Sequence, residues 1–273
     1  MSAREPLIGS LSMSGRWIGL VVCWCLGLQS VQAGEVVPHD QRPLRIVYAN
    51  QWAPLSYGDD TQVRGILPAL VEEIIGKRMG RVVVHRGVPW GRAQSMVRSG
   101  AVDGFITTPT PARLRYSQRS EESLYELVFK AYSRKESEAG KALEAGTPLQ
   151  SLSHFQFCDV LGNGWADRFY GELEIAFETT AVADNCLKML SMGRTDLFIH
   201  SQAVTDDKIQ GLNLAWIVQR HERIFDRVGF VLMLSNQTNV DHSLIQRFDQ
   251  ELASMRADGS YQALLERVKV QAH

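Results

Sequence analysis

Twice along this chain, short apolar runs alternate with helix-patterned segments over connections of a few residues. That order calls for parallel sheet layered by helices, with right-handed crossovers. In the first series, residues 45–49, 82–85 and 102–106 read as strands. Between the first two, Leu67, Leu70, Val71, Ile74 and Ile75 fall at i, i+3, i+4, i+7 and i+8 of a helix that Gly65 opens and Gly80 closes. Pro89 starts a second helix, with Trp90, Ala93 and Val97 on one face and Gly100 at its end. The second series has strands at 155–161, 175–179, 196–200 and 214–218, with helices expected over 165–173, from Val182 to Gly193, and over 201–211. Residues 125–133 and 227–235 are longer strands, 135–148 reads as a polar, Ala/Gly-rich linker, and two helices close the chain, one ending at Gly259. The expectation is an α/β protein of two lobes joined by two hinge strands. Residues 34–134 supply the first lobe, 135–227 the linker and second lobe, and 228–273 a hinge strand with C-terminal helices that return to lobe one.

In such sheets ligands bind beyond the carboxyl ends of the strands, and clefts between domains are favoured sites. The stretch Thr107-Thr108-Pro109-Thr110-Pro111-Ala112-Arg113 follows a strand directly. Its hydroxyls suit a small polar ligand, and a guanidinium fork matches a carboxylate two bonds at a time. Residues 107–113 are therefore a candidate half of a ligand clamp; a surface turn with a solvated arginine is the alternative.

The first 33 residues differ from the rest. Arg16 precedes an apolar run of residues 17–28, and Gln29-Ser30-Val31-Gln32-Ala33 follows, the pattern of a secretory signal peptide cut after Ala33. The run is well short of the roughly 20 residues that a membrane-spanning helix needs, and an uncleaved anchor is the alternative reading. Met13 offers an alternative start with a tighter basic region. An exported, periplasmic protein is expected. Removal of Cys23 and Cys25 leaves Cys158 and Cys186, which in an oxidising compartment form a disulfide; two buried free thiols are the other reading. With 29 Lys and Arg against 30 Asp and Glu, nothing calls for a nucleic-acid partner.

In this order the chain resembles the bacterial extracellular solute-binding proteins of family 3, the polar amino-acid type, over residues 43–270. The resemblance rests on Trp52-Ala53-Pro54-Leu55-Ser56-Tyr57, on Gly65 and its helix, and on Trp90 with Gly100-Ala101-Val102-Asp103-Gly104. Thr110-Pro111-Ala112-Arg113, Gly193-Arg194-Thr195-Asp196 and Asp258-Gly259-Ser260-Tyr261 continue it. It implies the type II periplasmic-binding fold and capture of a small carboxylate-bearing solute by hinge closure. The solute passes to an inner-membrane transporter of the ABC type, or its presence is signalled to a membrane receptor. The resemblance implies ligand contacts from Trp52, Trp90, Thr107, Thr108 and Arg113 in lobe one. Asn163, Gly164, Trp165 and Ser201 are their counterparts in lobe two. It implies a monomer without cofactor.

Departures from the family pattern narrow the expectation. The 103–113 loop is shorter, Arg119-Ser120 replaces a Phe-Ser pair, and Ser201 stands where amino-acid binders carry an acid. The carboxylate half of the recognition pattern is kept and the ammonium half is put in question; His200 is expected to point elsewhere. Periplasmic dehydratases also resemble this family, but they need an acid near the arginine. The sequence has no nucleophile motif, metal-ligand spacing or phosphate loop, and Glu121 and Glu122 read as exposed loop carboxylates. A binding protein rather than an enzyme is expected.

Overall fold

A computed structural model describes residues 42–241 and 243–271, without the side chains of 269–271. The signal-peptide expectation lies outside these residues.

The chain begins with strand β1 (Leu44–Ala49), the short ribbon β2 (Gln51–Trp52) and β3 (Ser56–Tyr57), and helix α1 (Ile66–Val71). Helix α1 runs on as a π-helical stretch over Glu72–Arg78. Gly80, at φ +67°, ends it in the left-handed conformation that glycine adopts without a Cβ penalty. Next come β4 (Val83–Val88), α2 (Trp90–Arg98), β5 (Gly104–Thr107), α3 (Pro111–Leu114) and β6 (Ser117–Arg119). Strand β7 (Tyr125–Arg134) leads to α4 (Glu138–Glu144) and a 3-10 turn at Leu149–Leu152. Lobe two continues with β8 (Phe157–Val160), α5 (Gly164–Glu172), β9 (Phe177–Thr180), α6 (Ala183–Ser191), β10 (Leu197–Ser201) and α7 (Gln202–Gly211). Strand β11 (Val218–Ser235) and helices α8 (Ser243–Ala257) and α9 (Ser260–Gln271) complete it.

Strands β4, β1 and β5 are parallel neighbours in the first lobe, and β8 lies parallel to both β9 and β10 in the second. Strands β7 and β11 join the two. The early part of β11 pairs antiparallel with β7, from Val218 against Arg134 to Phe230 against Tyr125. Its last residues pair with β5, Val231 facing Thr107. The period of two in β1 sorts its side chains: Ile46 and Tyr48 enter the cluster under α1, while Val47 joins Ala93 and Val97 of α2 on the other face. Strand β10 does the same, with Ile199 on one side and Phe198 packing on the other with Cys186 and Leu190 of α6. Cys158 of β8 and Cys186 of α6 form a disulfide, so the helix is tied covalently to the sheet it covers.

Three expectations change. The linker at 135–148 contains a helix, because Ser137 caps it by accepting a hydrogen bond from the Gly140 amide, and Ala139, Gly140 and Leu143 are buried. The segment 214–218 is not a separate strand, and the strand expected from Arg227 begins at Val218. The charged run Arg220-His221-Glu222-Arg223 hides it, and the pairing with β7 shifts register between Arg220 and Asp226. Arg220 is held there by Asp206 and Glu222, and Lys130 of β7 reaches Glu222 at 2.6 Å.

Candidate functional site

A cavity of about 340 Å³ lies between the lobes, at the carboxyl ends of their strands. Lobe one contributes Trp52, Trp90, Thr107, Thr108 and Arg113 to its wall, and lobe two contributes Asn163, Trp165 and His200. Phe129 of β7 and Phe230 of β11 form the hinge side.

The local sequence places Arg113 with little freedom. Thr110 caps α3, its Oγ1 accepting from the Arg113 amide at 3.3 Å, and Pro111 pre-sets the first turn. Arg113 as a whole is only 4 % exposed. Nη1 donates to Thr108 Oγ1 at 2.7 Å and to the Thr108 carbonyl at 3.1 Å; Nε and Nη2 share Gln94 Oε1 at 3.4 and 3.3 Å. The Trp90 ring lies 5.1 Å from its central carbon. Each of these partners is neutral, and burial, only partly offset by the charge of Asp167, pulls the guanidinium down to about pKa 10, still cationic at neutral pH. A buried cation held in a fixed fork by neutral oxygens has the chemistry to receive an anion.

The lobes also touch directly beside it. The Gly162 carbonyl accepts from Trp90 Nε1 at 3.1 Å and from Arg113 Nη2 at 3.5 Å. A Cβ at Gly164 would come within 2.9 Å of Thr110 Cγ2 and 3.6 Å of the Arg113 nitrogens, so glycine there permits this approach. Asn163 caps α5, accepting from the Trp165 amide at 3.2 Å. It also donates to Asp159 Oδ1 at 2.8 Å. Burial raises the Asp159 carboxyl to about pKa 7.

The remaining wall is aromatic. Trp165 stacks on Phe129 at 3.9 Å and on Phe169 at 4.5 Å, and its Nε1 donates to Asp226 Oδ2 at 2.7 Å. Trp52 leans on Phe230 at 5.3 Å and sets its edge against His200 at 6.4 Å. Burial, with the Lys208 charge, drives His200 down to about pKa 3, so its ring is neutral.

Of the nine residues expected to meet a ligand, Trp52, Trp90, Thr107, Thr108, Arg113, Asn163 and Trp165 line this cavity. Gly164 and Ser201 do not. Gly164 faces lobe one as a spacer. Ser201 ends β10, wholly buried, one residue out of phase with the cavity. Alternation along the strand puts His200 on the face of Phe198, which it stacks on at 5.0 Å, and brings it to the wall in place of Ser201. His200 therefore does not point elsewhere. Phe129 and Phe230 were legible only as buried strand residues; their signal was position in the two hinge strands. Glu121 and Glu122 stay outside the cavity, paired with Arg119 and Arg256.

Solved structures share the fold. A histidine kinase sensor domain with similarity to periplasmic binding proteins aligns with a TM-score of 0.67 at 19% identity, over 84% of this chain and 97% of that one. The arginine-, lysine-, histidine-binding protein ArtJ from Geobacillus stearothermophilus aligns with a TM-score of 0.67 at 16% identity, over 83% of this chain and 94% of that one. An ancestral amino acid-binding protein, a precursor of cyclohexadienyl dehydratase, aligns with a TM-score of 0.63 at 17% identity, over 82% and 94%. No curated protein matches in sequence. The family of "Bacterial extracellular solute-binding proteins, family 3" matches residues 44–269, and with that span covering both lobes and the cavity between them, the chain belongs to this family.

Proposed function

We propose that this protein captures a small carboxylate-bearing solute between its lobes and delivers it to an ABC-type transporter in the inner membrane. The observation that carries the reading is Arg113: a buried cation at the cavity wall, oriented by Thr108 and Gln94, with no acid among its hydrogen-bond partners. A carboxylate entering there gains two charge-assisted bonds and compensates a buried charge that Asp167 offsets only from a distance. Thr107 and Thr108 add hydroxyls from lobe one, Trp52 and Trp165 supply apolar walls, and Asn163 and Trp90 line the junction of the lobes. Because the ligand touches both lobes only when they meet, binding favours closure.

Family membership supports an extracytoplasmic location and a membrane partner. No helix among the described residues is long and apolar enough to cross a membrane. Binding rather than turnover is supported by the character of His200, whose depressed pKa of about 3 leaves it a poor base near neutrality. The similarity to a kinase sensor domain supports a second reading, in which the loaded protein signals to a membrane receptor.

Thermal melting of the purified protein against a panel of organic and amino acids tests the capture. A carboxylate should raise the melting temperature, and Arg113→Ala should abolish the rise. Retention of the full shift in that variant would end the carboxylate reading.

A further inference from the structure

Charge is placed at one end of the cavity and is missing from the rest. Among the described residues that line it, none is Asp or Glu. The carboxylates of Asp167, Asp226 and Asp159 lie behind the wall rather than on it, and the charge of Asp167 is felt at Arg113. Asp226 accepts from Trp165 Nε1 at 2.7 Å, from Arg168 at 3.0 Å and from the Arg227 amide at 2.8 Å. Asp159 lies behind Asn163, fully buried, its Oδ1 taken by the Asn163 amide group and the Val160 amide while its Oδ2 has no hydrogen-bond partner among the described residues, and it does not line the cavity. His200, which lines the lobe-two wall, is uncharged. An ammonium group drawn into this cavity would lose water and find no counter-charge.

Aromatic rings could replace an acid by presenting their faces to a cation, but two of them are used otherwise. Trp165 stacks with Phe129 at 25° and with Phe169 at 17°, and its indole N–H is given to Asp226, so its ring is committed to packing and to that bond. Phe129 has given one face to Trp165 in the same contact. Rings committed in this way have less face to offer a cation and still supply apolar surface to an aryl or alkyl body.

We infer that the site selects monocarboxylic acids with an uncharged apolar body, aryl or branched alkyl, and rejects the α-amino acid of the same skeleton. This rests on the reading that Arg113 holds the carboxylate.

Matched compounds test it by calorimetry on the purified protein: hydrocinnamate against L-phenylalanine, isocaproate against L-leucine, and hydrocinnamamide as the uncharged control. The expected order is hydrocinnamate and isocaproate at least about tenfold tighter than their amino acids, and hydrocinnamate at least about tenfold tighter than its amide. Amino acids binding as tightly as the plain acids, with the amide still weak, would overturn the inference and leave the Arg113 reading standing. An amide equal to its acid, or no binding by any of the five, would overturn both.

Discussion

Replacing Arg113 by methionine separates the demands of binding from those of stability. Methionine keeps much of the length of the side chain and its contact with Trp90 while removing the charge. Burial lowers the arginine from 12.5 to about 10, a folded-state penalty on the charged form of about 3 kcal/mol. The sign follows from linkage: a base whose folded pKa is depressed destabilises the fold at every pH below the folded value, and the penalty disappears only above the unfolded one. At neutral pH the whole penalty is present. Against it stand the bonds to Thr108 and Gln94, whose oxygens would need new partners at a cost of about 1–2 kcal/mol. The balance is a gain of about 1–2 kcal/mol, and a melting temperature higher by about 2–8 °C. With hydrocinnamate at a hundred times its Kd, the parent protein should gain about 2.7 kcal/mol and the variant nothing. Differential scanning fluorimetry with and without the acid reads both effects. A variant that melts lower than the parent, or that still responds to the acid, would refute the reasoning.

Other consequences follow from the same geometry. Reducing the Cys158–Cys186 bridge, which closes 28 residues, should cost about 3–4 kcal/mol in urea melts; an unchanged midpoint would show that α6 does not depend on it. Gly164→Val should press on Thr110 and cost the closed arrangement about 1–3 kcal/mol, seen as weaker binding and a larger radius of gyration with ligand present, whereas parent-like binding would deny the close approach. Asp159, raised to about 7, lowers stability as pH rises from the ordinary carboxylate range toward 7, and Asp159→Asn should remove that slope. His200, lowered to about 3, acts oppositely, lowering stability as pH falls below 6.5, and His200→Gln should remove that one. Melting curves in which neither variant alters the pH dependence would contradict both assignments.

The first lobe was readable because its strands are short and apolar and its helices are punctuated by glycines; Gly80, Gly100 and Gly259 all sit at positive φ where helices were expected to end. Arg113 was readable because Thr110 and Pro111 form a helix start that dictates where the next residues go. The long hinge strand was not, since its middle is charged, pairs with charged partners and shifts register, none of which leaves an alternating apolar trace. On the second wall, Asn163 and Trp165 line the cavity as expected, while Ser201 does not, for a finer reason. Matching by sequence position put the contact at Ser201, but side chains on a strand alternate, and a displacement of one residue exchanges the buried face for the lining one. The aromatic stacking of Phe129, Trp165 and Phe169 joins two elements far apart in the chain, so only folding brings it into view.

The central claim, that Arg113 holds a carboxylate whose body carries no ammonium, is tested most directly by native mass spectrometry of the protein isolated from its own compartment, with the retained small molecules identified after release. The account predicts a monocarboxylic acid without a primary amine bound to the parent protein and lost in Arg113→Ala. An amino acid in the cavity, or equal retention by the two proteins, would contradict it.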